Sequence, residues 1–256
     1  MSNAIEVRDL VKTYATHDGT MLQALGPISV EVPSGGFMTI VGPSGCGKST
    51  LLKLLAGLIP KSSGSIRVSG TEVTAPHPDI GMVFQSPVLL PWKTAIENVL
   101  LPARVLGLDL AQSRERALKL LAMVGLQDFA DKYPKELSGG MQQRVAIARA
   151  LIHDPSILMM DEPFGALDAM TRELMNVELL RIWHEAGKTI VFVTHSIPEA
   201  VFLATQVMVL SNRPGRIADM VDIDLPGSRT LDIMSTDAFG VFASRIRSQF
   251  NSQGLL

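Results

Sequence analysis

Short apolar runs recur along the chain and predict strands that are buried on both faces. Each is bounded by polar or glycine-rich sequence. They lie at residues 38–41, 80–84, 157–160, 190–193 and 207–210. A helix-compatible stretch at 169–185 separates the third run from the fourth. This alternation favours right-handed βαβ units and a parallel sheet.

The first forty residues instead alternate between apolar and polar positions. Residues 5–8 and 28–32 are typical of half-buried strands on either side of a turn at Asp18 and Gly19. The pattern therefore predicts an N-terminal antiparallel β-subdomain.

Residues 86–152 look different, because they contain helical stretches and no strand pattern. Met141, Val145, Ala148 and Ile152 recur at the spacing of one helix face. We interpret 86–152 as an α-helical subdomain inserted into an α/β core. The core would then comprise 1–85, which includes the antiparallel strands, and 153–225. A tail at 226–256 would follow, with one amphipathic helix at about 237–250.

Composition narrows the classes of function. Hydrophobic residues make up 46% and charged residues 19%, which is a globular profile. The 23 basic and 25 acidic residues give a net charge of −2, so the basic footprint of a nucleic-acid binder is missing. The single cysteine excludes an internal disulfide and fits a reducing compartment. We expect no signal peptide and no membrane span. The mean hydropathy of +0.25 fits either surface buried against partners or a mostly parallel, buried sheet.

Polar or glycine residues directly follow four of the apolar runs. They are Gly42, Gln85, the pair Asp161 and Glu162, and the pair Thr194 and His195. In an open parallel sheet the ligand site lies beyond the carboxyl ends of the strands. The sequence therefore predicts that these groups meet at one edge.

The first of these strings matches the phosphate-binding pattern G-x-x-x-x-G-K-[ST]. Its residues are Gly42, Pro43, Ser44, Gly45, Cys46, Gly47, Lys48, Ser49 and Thr50. Glycines let backbone N–H groups turn toward phosphate oxygens, and the helix that follows adds its positive end. Lys48 is expected to reach the β- and γ-phosphates, and the Ser49 hydroxyl to bind Mg²⁺. Cys46 is expected to be a passive member of the loop.

An apolar strand that ends in Asp161 and Glu162 supplies a second group. Asp161 is expected to hold Mg²⁺, usually through water. Glu162 is expected to orient or deprotonate the attacking water. Together with the phosphate loop, this pair predicts hydrolysis of a nucleoside triphosphate.

A third string covers residues 137–144 and begins a helix. Ser138 is a typical N-cap, and Gly139 and Gly140 permit close backbone approach, so the helix start can bind an anion. The full string resembles the signature of ABC-type ATPases, and the resemblance covers roughly residues 4–225. It implies a P-loop NTPase (RecA-like) core with a mostly parallel sheet. It also implies that Ser138, Gly139 and Gly140 act in trans on the ATP of a second subunit.

The resemblance implies roles for further residues. Tyr14 matches the aromatic that stacks on adenine, and Gln85 matches the Q-loop glutamine that contacts Mg²⁺ or the water. His195 matches the switch histidine at the γ-phosphate. Residues 165–168 match the D-loop at the dimer interface, which includes Asp168. Gly165 stands where the family more often has serine, which loosens that contact.

Three strings resemble the nitrate, sulfonate and taurine importers of this family. They are residues 89–99, 193–204 and 211–217. Thr205 and Gln206 depart from the Asp-Arg that this group usually has there, which puts the exact subfamily in doubt. Trp92 and its neighbours are expected to border a groove that receives a helix of the membrane subunit.

The resemblance thus implies an ATPase subunit that couples Mg-ATP hydrolysis to import at the cytoplasmic face of the inner membrane. Its partners would be a second copy, two transmembrane permease subunits and an external solute-binding protein, with no nucleic acid. Bicarbonate and pyrimidine-type vitamin precursors remain open as solutes. The main alternative is a soluble ABC ATPase of translation or DNA repair. Such proteins usually carry two such domains or a long coiled coil, and the helical insertion of this sequence shows no sustained heptad pattern. A GTPase would need Asn-Lys-x-Asp, which is absent, and a kinase would leave residues 137–144 unexplained.

Overall fold

The computed structural model describes residues 2–17, 19–165 and 167–252. The strands are β1 (Asn3–Ala15), β2 (Met21–Pro33), β3 (Phe37–Val41), β4 (Ser63–Val68), β5 (Thr71–Glu72), β6 (Ile80–Val83), β7 (Ile157–Asp161), β8 (Thr189–Val193), β9 (Gln206–Leu210) and β10 (Ile217–Asp222). The helices are α1 (Lys48–Leu55), α2 (Ala95–Val99), α3 (Leu101–Val105), α4 (Leu110–Met123), α5 (Gly139–Leu151), α6 (Ala169–Ala186), α7 (Ile197–Leu203) and α8 (Asp237–Ser252). The chain divides into two compact units, one of residues 1–77 and 179–256 and the other of residues 78–178.

The first unit contains an antiparallel sheet in the order β2-β1-β4-β5. Val7 pairs with Val30 of β2 and with Ile66 of β4. These three side chains are buried on one face, which confirms the half-buried pattern of the first two strands. Asp18 of the predicted turn lies outside the described residues. The sequence did not predict β4 and β5, because they are short and only Ile66 and Val68 give an apolar alternation.

The first unit also holds a mainly parallel ladder. β8 and β9 flank β3, both parallel to it, and β10 adds an antiparallel edge beside β9. All positions of β3 and β8 are buried, as their continuous apolar sequence predicts. β10 was missed because its side chains are mostly half-buried or exposed and form no continuous apolar run.

The second unit contains the parallel pair β6 and β7, together with α2 to α5. No strand occurs between residues 86 and 152, all of which are described. On α5, Val145 and Ala148 are fully buried, as the predicted helix face requires. This compact unit is larger than the predicted helical subdomain because it includes β6 and β7, and the domain boundaries drawn from the sequence stay predictions.

The C-terminal segment is part of the first unit. α8 confirms the predicted amphipathic helix, since Phe239, Ala243 and Ile246 form its buried face. Ahead of it, the buried Arg229 donates to the carbonyl oxygens of Val201, Phe202 and Ala204 at the end of α7. Burial lowers the pKa of Arg229. In the described part of the chain, no helix is both long enough and apolar enough to cross a membrane.

Candidate active site

The phosphate-binding string lies between β3 and α1 in the first unit. Gly47 is the N-cap of α1 and has a φ of 108°, which favours glycine. A Cβ at Gly47 would lie 2.5 Å from Leu25 Cδ2, so the buried Leu25 side chain would have to shift to admit one. Because no side chain caps α1, its first N–H groups are not taken by a capping residue. The start of α1 is therefore suited to binding an anion.

Lys48 lies across this loop. Its Nζ donates to the carbonyl oxygens of Gly42 at 2.8 Å and Pro43 at 3.0 Å, and the residue is 7% exposed. A phosphate oxygen carries more negative charge than a carbonyl oxygen and can replace these acceptors. Ser49 and Thr50 follow on the first turn of α1, both half-buried.

Cys46 is buried inside the loop, and its burial raises the pKa of the thiol. A thiol that stays protonated is a poor nucleophile. This environment supports the prediction of a passive loop residue.

The turn that carries His195 follows β8, the parallel neighbour of β3. Within this unit, the carboxyl ends of the two strands therefore lie at the same edge, as predicted for Gly42 and His195. His195 is exposed, whereas Thr194 and Glu199 are buried. The Thr194 hydroxyl donates to the Glu199 carboxylate and accepts from the Ser196 N–H at 3.0 Å. These bonds fix the backbone on both sides of His195.

Tyr14 lies near the end of β1, with 38% of the residue exposed. The Nζ of Lys12 lies 4.7 Å from the centre of its ring and donates to the Pro60 oxygen. The contact orients the ring on one side by a cation–π interaction. An exposed aromatic face of this kind can stack on a planar base.

The second unit brings together Gln85 and Glu162. Gln85 follows β6 and Glu162 follows β7, two parallel strands whose carboxyl ends lie at one edge. The Gln85 Nε2 donates to Glu162 Oε2 at 3.4 Å. Glu162 has a φ of 44°, a conformation that non-glycine residues rarely adopt and that concentrates at functional sites. Asp161, the last residue of β7, is buried.

The signature string forms the start of α5. Ser138 is the N-cap, and its hydroxyl accepts from the Met141 N–H at 3.3 Å. Ser138 and Gly139 are exposed, and a Cβ at Gly139 would meet no atom of the described residues within 4 Å. The open space beside the backbone leaves room for another molecule to approach this helix start.

Asp168 lies at the start of α6. Thr171 donates to it twice, from its backbone N–H at 3.0 Å and from its hydroxyl at 2.6 Å. These bonds lower the pKa of Asp168. Asp168 thus serves as a helix cap whatever else it contacts, and Ala166 of the predicted D-loop lies outside the described residues.

Sequence reasoning missed the side chains that hold the segment around Gln85. The buried Gln143 of α5 donates to the Phe84 oxygen at 3.1 Å. Arg149, on the same helix, donates to the oxygens of Pro87 and Val88 at 2.7 Å each. Burial lowers the pKa of Arg149. The helix that begins at Ser138 therefore also fixes the backbone on both sides of Gln85.

Comparison with known proteins places these features in a family. The ABC transporter family profile matches residues 25–165. The taurine import ATP-binding protein TauB of Rhizobium johnstonii is 51% identical over 211 residues, which are 82% of this chain and 80% of that protein. An aliphatic sulfonates import ATP-binding protein SsuB of Bacillus cereus is 40% identical over 252 residues, 98% of each chain.

Solved structures with the same fold are ATP-binding cassettes. The dimeric structure of the cassette MJ0796 in a post-hydrolysis state, bound to ADP and Pi, has a TM-score of 0.77. It is 34% identical in sequence, and the match covers 87% of this chain and all of that chain. The match supports the α/β fold expected from the apolar runs.

Proposed function

Because the chain belongs to the ABC transporter family and is an ATP-hydrolysing importer subunit of that family, we propose that two copies bind two Mg-ATP molecules head to tail. In this arrangement each copy supplies the phosphate loop for one ATP and the signature for the other. The dimeric cassette with bound ADP and Pi supports pairing of this kind.

ATP binding is assigned to two features of the first unit. Tyr14 stacks on the adenine, since its ring is exposed and backed by Lys12. The backbone of residues 42–50 and the Lys48 ammonium bind the phosphates, because the start of α1 has no side-chain cap. His195 contacts the γ-phosphate from the end of β8.

Mg²⁺ is assigned to Ser49, Gln85 and Asp161. Hydroxyl, amide and carboxylate oxygens are the hard ligands that this ion prefers, so the donor set fits it. When bound, Mg²⁺ would neutralise part of the phosphate charge. Ser49 and Gln85 can each present a neutral oxygen, and Asp161 a charged one.

Hydrolysis is assigned to Glu162. The observation that carries this assignment is the contact between Gln85 and Glu162 at the ends of adjacent parallel strands. It brings the residue that would deprotonate or orient the water next to an amide that can hold the same water. The left-handed backbone of Glu162 supports a functional reason for keeping the carboxylate there.

Coupling to the membrane is assigned to an apolar groove in the second unit, of about 410 Å³. Val88, Val105 and Leu106 line it and are exposed. Trp92, at 67% exposure, lies a few residues beyond Val88 in the chain. An exposed apolar groove can receive an apolar helix. In the dimer, the groove of each copy would receive a helix from one of the two permease subunits.

The solute is proposed to be taurine or another organic sulfonate, with nitrate as a related anion. Relatives named for import of taurine and of aliphatic sulfonates support this class. An external solute-binding protein would deliver the solute to the permease at the outer face. The ATPase would act at the cytoplasmic face as a peripheral subunit.

The Glu162→Gln variant tests the mechanism. Gln keeps the shape of the side chain but cannot take a proton, so we expect ATP to bind and hydrolysis to fall by at least ~100-fold. ATP that is not hydrolysed should trap the dimer, seen on a sizing column with saturating Mg-ATP. The matched control is Glu173→Gln, an exposed carboxylate on α6, which should hydrolyse ATP normally. A variant that remains monomeric with Mg-ATP would contradict the sandwich.

Co-purification tests whether the chain is coupled to a membrane protein. We expect the chain to co-purify from detergent extract with a polytopic membrane protein. Co-purification with ribosomes or DNA would favour a soluble ABC ATPase instead.

A further inference from the structure

The loop of residues 211–216, here called the clasp loop, joins β9 to β10. The proposed ATPase mechanism assigns it no role. The Ser211 N–H donates to the Arg216 oxygen at 2.8 Å, and the Ser211 hydroxyl accepts from the Arg216 N–H at 3.1 Å. These two bonds close the loop on itself. Two of its middle residues contact other segments: Gly215 bonds to β2, and Arg213 bonds to the phosphate-binding string.

One side of the clasp loop is bonded to β2. The Gly215 N–H donates to the Ala24 oxygen, and the Gly26 N–H donates to the Gly215 oxygen, both at 3.0 Å. β2 is also the strand that pairs with the end of β1, where Tyr14 is opposite Leu22. The clasp loop is thus bonded to the partner strand of the proposed adenine platform.

The other side of the clasp loop contacts the phosphate-binding string. Arg213 donates to the Gly45 oxygen twice, from Nε at 3.2 Å and from Nη2 at 3.0 Å. A Cβ at Gly215 would lie 2.1 Å from the Cys46 oxygen, which leaves no room for a side chain there. Two consecutive carbonyl groups of the phosphate loop therefore face the clasp loop.

The chemistry of a peptide group makes this contact relevant to phosphate binding. In a planar trans peptide, the carbonyl oxygen and the next N–H point in opposite directions. Arg213 holds the Gly45 oxygen, so the Cys46 N–H of the same peptide points away from Arg213; it donates to the Pro43 oxygen at 3.3 Å, a long bond that a phosphate oxygen can replace. Gly45 and Gly47, with φ of 74° and 108°, are otherwise free to adopt many conformations. The contact with Arg213 adds an external restraint to the bond that the Cys46 N–H makes within the loop.

We propose that Arg213 is a positioning residue that holds the phosphate loop in the conformation that binds a triphosphate, and that the clasp loop ties this conformation to β2. The proposal rests on ATP binding by residues 42–50. It gives a role to the string at 211–217, which the sequence linked only to a subfamily.

The test compares ATP with inorganic tripolyphosphate, which has the phosphates but no adenine. Binding of each to the purified full chain is measured by calorimetry. Arg213→Ala should weaken both ligands by the same factor of about 10, since a hydrogen bond from a charged donor contributes about that much. Tyr14→Ala should weaken ATP alone. Arg216→Ala removes an exposed arginine of the same loop and should change neither.

Kinetics separate positioning from damage to the fold. In Arg213→Ala we expect the KM for ATP to rise about 10-fold while kcat stays within about 2-fold, because Arg213 is not expected to touch the γ-phosphate. Arg213→Lys keeps the positive charge and a single donor nitrogen, so it should recover part of the lost ATP affinity. This variant also tests the proposal if the alanine variant folds poorly.

Three outcomes would overturn the proposal. One is unchanged affinity for both ligands in Arg213→Ala, and another is a loss for ATP but not for tripolyphosphate. The third is that Arg216→Ala loses as much affinity for both ligands as Arg213→Ala does. The loss would then be explained by the positive charge of either arginine and not by the contact with Gly45. Failure of the wild-type chain to bind ATP would instead contradict the proposed function, so the two failures are distinguishable.

Discussion

Two helices of this chain, α1 and α5, begin directly after glycine-rich strings, but their first turns are held differently. α1 has Gly47 as its N-cap and no side-chain cap, and Lys48 bonds to carbonyl groups of the loop. α5 is capped by the hydroxyl of Ser138. At the start of α1 no side chain caps the N–H groups, so none competes with an anion there, whereas at the start of α5 the Ser138 hydroxyl already accepts from the Met141 N–H.

This difference fits the two roles that the family resemblance implies. A site that must bind ATP in the isolated subunit gains affinity from a helix start that no side chain caps and from a nearby cation. A surface that contacts ATP only after dimerisation has to be stable before the partner arrives. We therefore expect changes at α1 to affect ATP binding, and changes at α5 to affect only the steps that need two chains.

Lys48→Ala should have the largest effect, because it removes the cation from the first turn of α1, which no side chain caps. We expect both ATP affinity and turnover to fall, turnover by at least ~100-fold, as for loss of a major charge-stabilising donor. Calorimetry and phosphate release measure the two quantities. Lys53→Ala, an exposed lysine of the same helix, is the control and should behave as wild type. Unchanged turnover in Lys48→Ala would refute the phosphate-loop assignment.

Ser138→Arg examines the other helix start. The arginine projects from an exposed position and should block approach of a second chain, so hydrolysis should fall by at least ~100-fold. ATP affinity of the monomer should stay at the wild-type value, unlike that of Lys48→Ala.

Ser138→Ala separates this block from loss of the cap. It removes the bond to the Met141 N–H and should cost about 1 kcal/mol of stability. Full hydrolysis in Ser138→Arg would show that the signature does not act in trans, and the contrast between the two helices would lose its functional meaning.

The sequence predicted the two helix starts because their chemistry depends on glycines, a lysine and a serine at fixed spacing. It also predicted β3, β6, β7, β8 and β9, since each is a continuous apolar run. It did not predict Gln143, Arg149 or Arg213 as supports of the site. All three donate to backbone carbonyls, and every residue supplies a carbonyl, so no partner motif marks these bonds in the sequence.

A second reason explains why the sequence did not identify Gln143 as a support of the site. It lies within the string at 137–144, where a polar residue on an amphipathic helix is expected to face solvent. In the structure it is 3% exposed and donates to the Phe84 oxygen. Only the folded chain shows that α5, whose first turn is capped by Ser138, also bonds through Gln143 to Phe84, the residue before Gln85.

Gln143→Met is expected to lower stability without changing ATP affinity, and it sharpens the comparison further. Methionine fills a similar volume but cannot donate, so the Phe84 oxygen loses this partner, at a cost of about 2 kcal/mol in the free energy of unfolding. Urea denaturation measures it, and Gln112→Met, an exposed glutamine on α4, should change stability by less than about 0.5 kcal/mol. ATP affinity should stay unchanged, since the start of α1 is untouched. A loss of ATP affinity would mean that α5 supports ATP binding within one chain, and the division of roles between the two helix starts would fail.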